Sequence, residues 1–407
     1  MAERPRFLGR LALSILLALA QLNKPAWAQS GKTPHVVASS KLVSPGIGWV
    51  ALMRDSDCAP ANVFPPCSPM RLYWTEDNGK HWSNITPPEM SVRHIRQVFF
   101  ADRIHGWMLS SDALGEETNA PFFLYSTEDA GRTWRTLVLR RPMFNMMDDY
   151  TFPTELFFSD SQHGWLLWAW GMMNSRRNYL LSTTDGGRSW KCLPDPPLGG
   201  SLQFTSSRDG WMIGTSQEDQ GVPAPENDTI WKTSDGGQHW SEISLPPPAD
   251  LKNESLYFRT LKFSNRREGI VFGERRLVDD QDQHLPLIWI THDGGRTWRL
   301  SKLQGPVENV SMIGSRIIRS FHDPVNYELT ICKGNQTITP YLPFDFPTRG
   351  LGYPDFIDES NAWMGAYFGL LATSDGAKSF QVILPSSAEP EWPTPPQILA
   401  VNHKIEK

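Results

Sequence analysis

Thr183-Thr-Asp185-Gly-Gly187-Arg-Ser-Trp190 decides the fold, because it does not stand alone. The form Thr-x-Asp-x-Gly-x-x-Trp recurs at Thr75 to Trp82 (TEDNGKHW), Thr127 to Trp134 (TEDAGRTW), Thr233 to Trp240 (TSDGGQHW) and Thr291 to Trp298 (THDGGRTW). A weaker copy runs from Thr373 to Phe380 (TSDGAKSF). The six aspartates, Asp77, Asp129, Asp185, Asp235, Asp293 and Asp375, are separated by 52, 56, 50, 58 and 82 residues. A period near 50 marks a repeat architecture.

A second element precedes the octapeptides. Phe99 to Trp107, Phe157 to Trp165, Phe204 to Trp211, Phe263 to Ile270 and Phe356 to Trp363 each run from phenylalanine through a polar turn to Gly-Trp or a near match, and Gly48-Trp49 is a shortened version. Short apolar runs flank both elements, at lengths that suit strands of four to six residues. Each unit therefore reads as four antiparallel strands, A to D. In the octapeptide the chain reverses between C and D: the Asp carboxylate can accept N–H bonds of the turn it begins, and Gly supplies positive φ. Trp82, Trp134, Trp190, Trp240 and Trp298 then enter strand D and cover apolar area between units. A four-stranded sheet cannot bury both faces alone, so the expected fold is an all-β propeller. The 82-residue gap leaves the count at six or seven blades. Arg316 to Phe321, Tyr327 to Cys332 and Gln336 to Tyr341, with a hairpin signal at Lys333-Gly-Asn335, read as a blade that lost its octapeptide, which gives seven.

The chain has 407 residues, 20% charged, with net charge −5, which is not a nucleic-acid profile. Its 40% hydrophobic content, with 17 Trp and 20 Phe, is enough for a sizeable core. Arg4, Arg6 and Arg10, an apolar run from Leu11 to Ala20, and Ala26-Trp-Ala28 have the order of a secretory signal cleaved after Ala28. The run's ten residues rise only ~15 Å as a helix, half a bilayer core, so no transmembrane anchor is expected. No Cys follows the run to carry a lipid. The expected organisation is a signal over 1–28, one propeller over 29–386 and a Pro-rich tail over 387–407, whose Ile398 to Val401 either pairs with an N-terminal strand or stays loose. The expected location is periplasmic or secreted. Cys58 and Cys67 are a candidate local disulfide in an oxidising compartment, while Cys192 and Cys332 are expected unpaired.

At these octapeptides the sequence resembles the Asp-box, or BNR, repeat proteins of the sialidase-like superfamily. The pattern is most similar to the photosystem II stability/assembly factor-like group of bacterial members. The resemblance implies a non-catalytic assembly or protein-binding role, with the box a structural turn remote from the binding face.

Loops B to C and the D to A crossovers fall on the rim opposite the boxes and vary in length, which makes that rim the candidate binding face. Strand A is innermost. Alignment on its phenylalanine places Arg96 and Arg259 each four residues ahead of it; Arg319 and Arg349 read as starting other inner segments. Guanidinium groups converging on the channel mouth would favour an anionic ligand or acidic segment, whereas carboxylates such as Glu155 or Asp355 would make them structural pairs. Trp168, Trp170, Met172, Met173, Arg176 and Arg177, joined by Met143 to Tyr150, form a second candidate surface, with core packing the alternative for the Trp pair. The competing function class is a sialidase-like or other glycoside hydrolase, with Tyr341 or Tyr353 as nucleophile. The box aspartates are poor catalytic candidates, since a site needed once has no reason to recur on a period. No cofactor, metal site or nucleic-acid partner is expected. The expected partner is another protein or an envelope complex, bound by a monomer.

Overall fold

The computed structural model describes residues 35–54, 70–92, 94–111, 121–139, 151–170, 177–197, 199–214, 228–248, 254–277, 284–302, 306–323, 328–343, 351–366, 369–385 and 397–402. The signal segment, Cys58, Cys67, Met143 to Tyr150, Met172, Met173, Arg176 and Arg349 lie outside the described residues, as do most of the B to C loops.

Seven blades follow one another along the chain. They comprise β1 (His35–Ser44), β2 (Ile47–Arg54), β3 (Arg71–Thr75) and β4 (Ser83–Asn84); β5 (His94–Phe100), β6 (Gly106–Ser111), β7 (Phe122–Thr127) and β8 (Thr133–Leu139); β9 (Thr151–Phe158), β10 (Gly164–Trp170), β11 (Arg177–Thr183) and β12 (Lys191–Cys192). Next come β13 (Ser201–Phe204), β14 (Gly210–Gly214), β15 (Thr229–Thr233) and β16 (Ser241–Ile243), then β17 (Glu254–Phe263), β18 (Gly269–Leu277), β19 (His284–Thr291) and β20 (Arg299–Lys302). The last two are β21 (Asn309–Ile313), β22 (Arg316–His322), β23 (Leu329–Lys333) and β24 (Gln336–Ile338), and β25 (Asp355–Phe356), β26 (Ala362–Ala366), β27 (Gly369–Thr373) and β28 (Gln381–Pro385). Each blade is an antiparallel meander with its strands in chain order. The first strands of successive blades touch in the order β5, β9, β13, β17, β21, β25, β1. The protein is a seven-bladed β-propeller.

The long gap holds the complete sixth blade. Its inner strand β21 carries neither motif and joins β22 through Gly314-Ser315, while β23 and β24 close on Gly334-Asn335 with Gly334 at φ 59°. Blades 1 and 7 are each built from one continuous stretch, so the ring closes by packing. Val50, Tyr73 and Trp82 meet Trp363, Leu370 and Leu384 in one buried cluster, and Lys41 pairs with Asp355. The tail strand β29 (Gln397–Asn402) runs parallel to β8 as a fifth strand of blade 2, not beside an N-terminal strand.

The octapeptides fold alike. The Thr75 hydroxyl donates to Asp77 Oδ1 (3.0 Å) and accepts the Gly79 N–H (2.9 Å), while Asp77 Oδ1 accepts the His81 N–H (2.9 Å). The remaining carboxylate oxygen takes the seventh side chain: a hydroxyl from Thr133, Ser189, Thr297 or Ser379, or a ring nitrogen from His81 or His239. The fourth and fifth residues both have positive φ, a conformation natural to glycine. In the weak sixth copy Ala377 still adopts φ 70°.

The two sequence elements are halves of one inter-blade joint. Trp107, Trp165 and Trp211 lie flat on Phe158, Phe204 and Phe263 of the following blade, at 3.5, 3.5 and 4.0 Å between ring centroids. Each of those phenylalanines meets its own blade's box tryptophan, Trp190, Trp240 or Trp298, edge-on. It also covers Gly164, Gly210 or Gly269, where a Cβ would strike the ring. The indoles of Trp107 and Trp165 donate to the Gly186 and Gly236 carbonyls of the next box, both at 2.9 Å. Stacked and edge-on aromatic pairs add about 0.5 to 1.5 kcal/mol each beyond the area they bury.

Candidate functional site

The inner strands enclose a cavity of about 500 Å³ on the propeller axis. Phe157, Gln203, Lys262, Met312 and Asp355 line it, each one residue ahead of the residue that ends its inner strand, and Lys41 joins them from β1. Glu155 and Arg259 lie in the same wall.

Bulges explain the placement of the arginines. In β1, β5, β9 and β17 the pairing with the second strand skips Ala38, Arg96, Thr154 and Arg259 respectively, and β1 skips Val43 as well. The first four stand four residues ahead of Leu42, Phe100, Phe158 or Phe263, and a bulge re-aims the side chain it carries. Arg96 donates to Ser111 Oγ at 2.9 Å. Arg259 makes a bidentate pair with Glu274, both bonds 2.9 Å, and Glu274 is only 6% exposed. The carboxylate that neutralises Arg259 is therefore Glu274, fifteen residues on, and not Glu155 or Asp355. Arg319 does not start an inner segment: it lies in β22, a second strand, opposite Val310 and Cys332. Trp168 is 1% exposed and packs edge-on against Phe122, so it is core between blades 2 and 3, not a docking surface. Trp170 and Arg177 are backbone partners in the last register step of β10 and β11.

Sequence reasoning missed a polar belt. Gln97 accepts the Leu156 N–H (2.7 Å) and donates to the Leu156 carbonyl (3.0 Å), and Gln203 holds Phe263 likewise. Glu155 accepts the Leu202 N–H at 3.0 Å, Lys262 donates to the Val310 carbonyl at 3.1 Å, and Lys41 closes on Asp355. Among the described residues, an inner-strand side chain thus grips the neighbouring inner strand at five of the seven blade junctions. Aligning the copies on their phenylalanines would have exposed these positions, one and three residues ahead of it. Burial pushes the Glu155 carboxyl up to about 7 against the pull of the Leu202 N–H. Burial also lowers Lys262, with Asp355 opposing and Lys41 reinforcing the shift.

Of the two candidate nucleophiles, Tyr341 is 72% exposed at the outer end of blade 6. Tyr353 donates to Glu308 Oε2 at 2.6 Å beside His322, a pair with the composition of a nucleophile and its base. Burial, then the bond to Glu308 and its charge, raise the phenol and hold its proton in place. Arg259 lies in the adjacent blade 5 and is committed to its bidentate pair with Glu274.

The box rim is the better described face. His81, His105, His163 and His239 each pair with an aspartate of their own turn. On blade 5, Arg266 of the first turn, Arg296 of the box and Arg299 of β20 are all exposed and have no ion pair among the described residues. Cys192 and Cys332 are free thiols. Among the described residues, no three His, Cys, Asp or Glu side chains gather as a metal site, and no helix is long and apolar enough to cross a membrane.

No family model matches the chain. It is 24% identical over 296 residues to the photosystem II assembly lipoprotein Ycf48 of Synechococcus sp. (strain CC9902), covering 70% of this chain and 73% of that one. A solved structure of YCF48 bound to a D1 peptide is 19% identical, with 74% of this chain and 85% of that chain covered at a TM-score of 0.44. A structure from a study of two prolyl endopeptidases is 12% identical, with 93% of this chain and 54% of that chain covered at a TM-score of 0.52, a likeness of fold alone.

Proposed function

We propose that this propeller is a non-catalytic scaffold that binds another protein and serves the assembly or stability of an envelope complex. On this reading the octapeptides are Asp boxes, residues 1–28 direct export, and the 29–386 ring works as a monomer in the periplasm or outside the cell. The observation that supports it best is the similarity to an assembly lipoprotein of photosystem II, which runs through 70% of the chain. What passes to this chain is the general role, not a photosystem.

The chemistry of the surface agrees. The motif residues are consumed in joints, the channel side chains in the belt, and Arg259 in its pair with Glu274. Arg266, Arg296 and Arg299 remain exposed, on a chain whose net charge is −5; they stand on the box rim and not on the opposite rim expected from the sequence, most of whose B to C loops lie outside the described residues. Guanidinium groups without an internal carboxylate suit an acidic segment of a partner. Arg96, at the bulge of β5, is the second binding candidate.

The test is capture from a detergent extract of the source cells' envelope by the immobilised chain, with the R266E/R296E/R299E variant alongside. The wild type should enrich a defined partner that the variant loses at an unchanged melting temperature. Equal capture by both, or turnover of a sialoside or glucan panel, would overturn the reading.

A further inference from the structure

Gln97 and Glu155 occupy the same place in consecutive blades, three residues ahead of Phe100 and Phe158. They reach the same target, the N–H two residues ahead of the next blade's closing phenylalanine, on Leu156 and on Leu202. The side chains differ in one respect. The Gln97 amide also donates to the Leu156 carbonyl, whereas an ionised carboxylate has acceptors only. A carboxylic acid regains the missing donor and has nearly the shape of the amide.

We propose that Glu155 is a proton-operated clasp between blades 3 and 4: as a carboxylic acid it grips Leu202 by two bonds, as Gln97 grips Leu156, and as a carboxylate it holds by one. The surroundings favour the acid form. The flanking strands β10 and β13 carry no titratable side chain. On the other side β5 brings His94 and Arg96, with Arg96 bonded to Ser111. Across the channel Lys41, Asp355, Lys262 and Arg259 line the same cavity, the first two paired with each other and the last with Glu274. Burial accordingly dominates and brings the carboxyl up to about 7, above the ~4.3 of an unfolded chain. Between those values the folded state holds the extra proton. The clasp's contribution is therefore complete below about pH 4 and lost as pH rises through 7.

Thermal unfolding of the full chain at pH 5.5 and pH 8 tests this, with Glu155→Gln and Gln97→Glu. Glu155→Gln makes the two-bond grip permanent. It should melt about 2 °C above wild type at pH 8 and level with it at pH 5.5, with slower hydrogen exchange at the Leu202 amide at pH 8. Gln97→Glu should install the same dependence at the junction of blades 2 and 3, melting level with wild type at pH 5.5 and below it at pH 8. A Glu155→Gln difference that is equal at both pH values, or larger at pH 5.5, overturns the proposal. Should Glu155→Gln not fold, Gln97→Glu decides alone, and a loss independent of pH would count against the clasp.

Discussion

Indoles hold blade 3 to blade 2 and blade 4 to blade 3; lysines make the corresponding bond from blade 4 to blade 5 and from blade 6 to blade 7. In every case the acceptor is the carbonyl of the fourth box residue. Trp107 and Trp165 donate to Gly186 and Gly236, whereas Lys232 and Lys333 donate to Gly294 and Gly376, both at 2.8 Å. Each ammonium also stands over an aromatic ring, Lys232 over Trp211 at 5.2 Å and Lys333 over Phe356 at 4.6 Å. The box thus offers one outward acceptor, and the donor is free to vary. What changes is the energetics: an indole brings a buried stack with its bond, while an ammonium stays half-exposed and relies on charge.

That difference can be broken by substitution. Trp165→Ala removes the stack on Phe204 and the bond to Gly236 together, and should cost about 3 to 5 kcal/mol in urea unfolding. Lys333→Met keeps the stem and loses the bonds to Gly376 and Glu359. Its cost should be about 1 to 2 kcal/mol, shrinking with added salt as the tryptophan's does not. Equal losses for the two variants would erase the distinction.

The boxes themselves sharpen it through pH. Burial alone would raise Asp235, but the N–H and ring of His239 and the Thr233 hydroxyl outweigh it and bring the carboxyl down to about 2. A folded value below the unfolded ~3.9 means that the unfolded chain binds more protons. Stability from the boxes should therefore be complete above about pH 4 and fall as pH drops through 2. Asp235→Asn should cost roughly 1 kcal/mol at pH 7 and flatten the acid limb of a stability titration. A limb unchanged in slope would show that Asp235 contributes nothing to it. The smallest effect belongs to the weak box, where Ala377→Gly should stabilise by about 0.5 kcal/mol by relieving a left-handed alanine; a loss on calorimetry would contradict that.

Much of this architecture was legible, because a joint repeated around a ring leaves a repeated spacing in the chain. Asp185, Gly187 and Trp190 announce the turn, and Phe158 with Gly164-Trp165 announces the strands it serves. Where a blade departed from the joint, the signal failed: β21 carries no phenylalanine before a Gly-Trp, and its short turn left it unseen. Trp168 was ambiguous because a strand buried on both faces loses the alternation that separates core from surface. The pairing of Arg259 with Glu274 crosses a bulge, a one-residue slip that no sequence period displays. The belt was visible only in the comparison of Gln97 with Glu155 across blades.

The two recurrent motifs form one joint between neighbouring blades. A double-mutant cycle between Trp165 and Phe204, read by urea unfolding of the Leu-substituted variants, measures it most directly. The joint predicts a coupling of about 0.5 to 1.5 kcal/mol across the blade boundary; strictly additive losses would mean that the motifs stabilise their own blades separately.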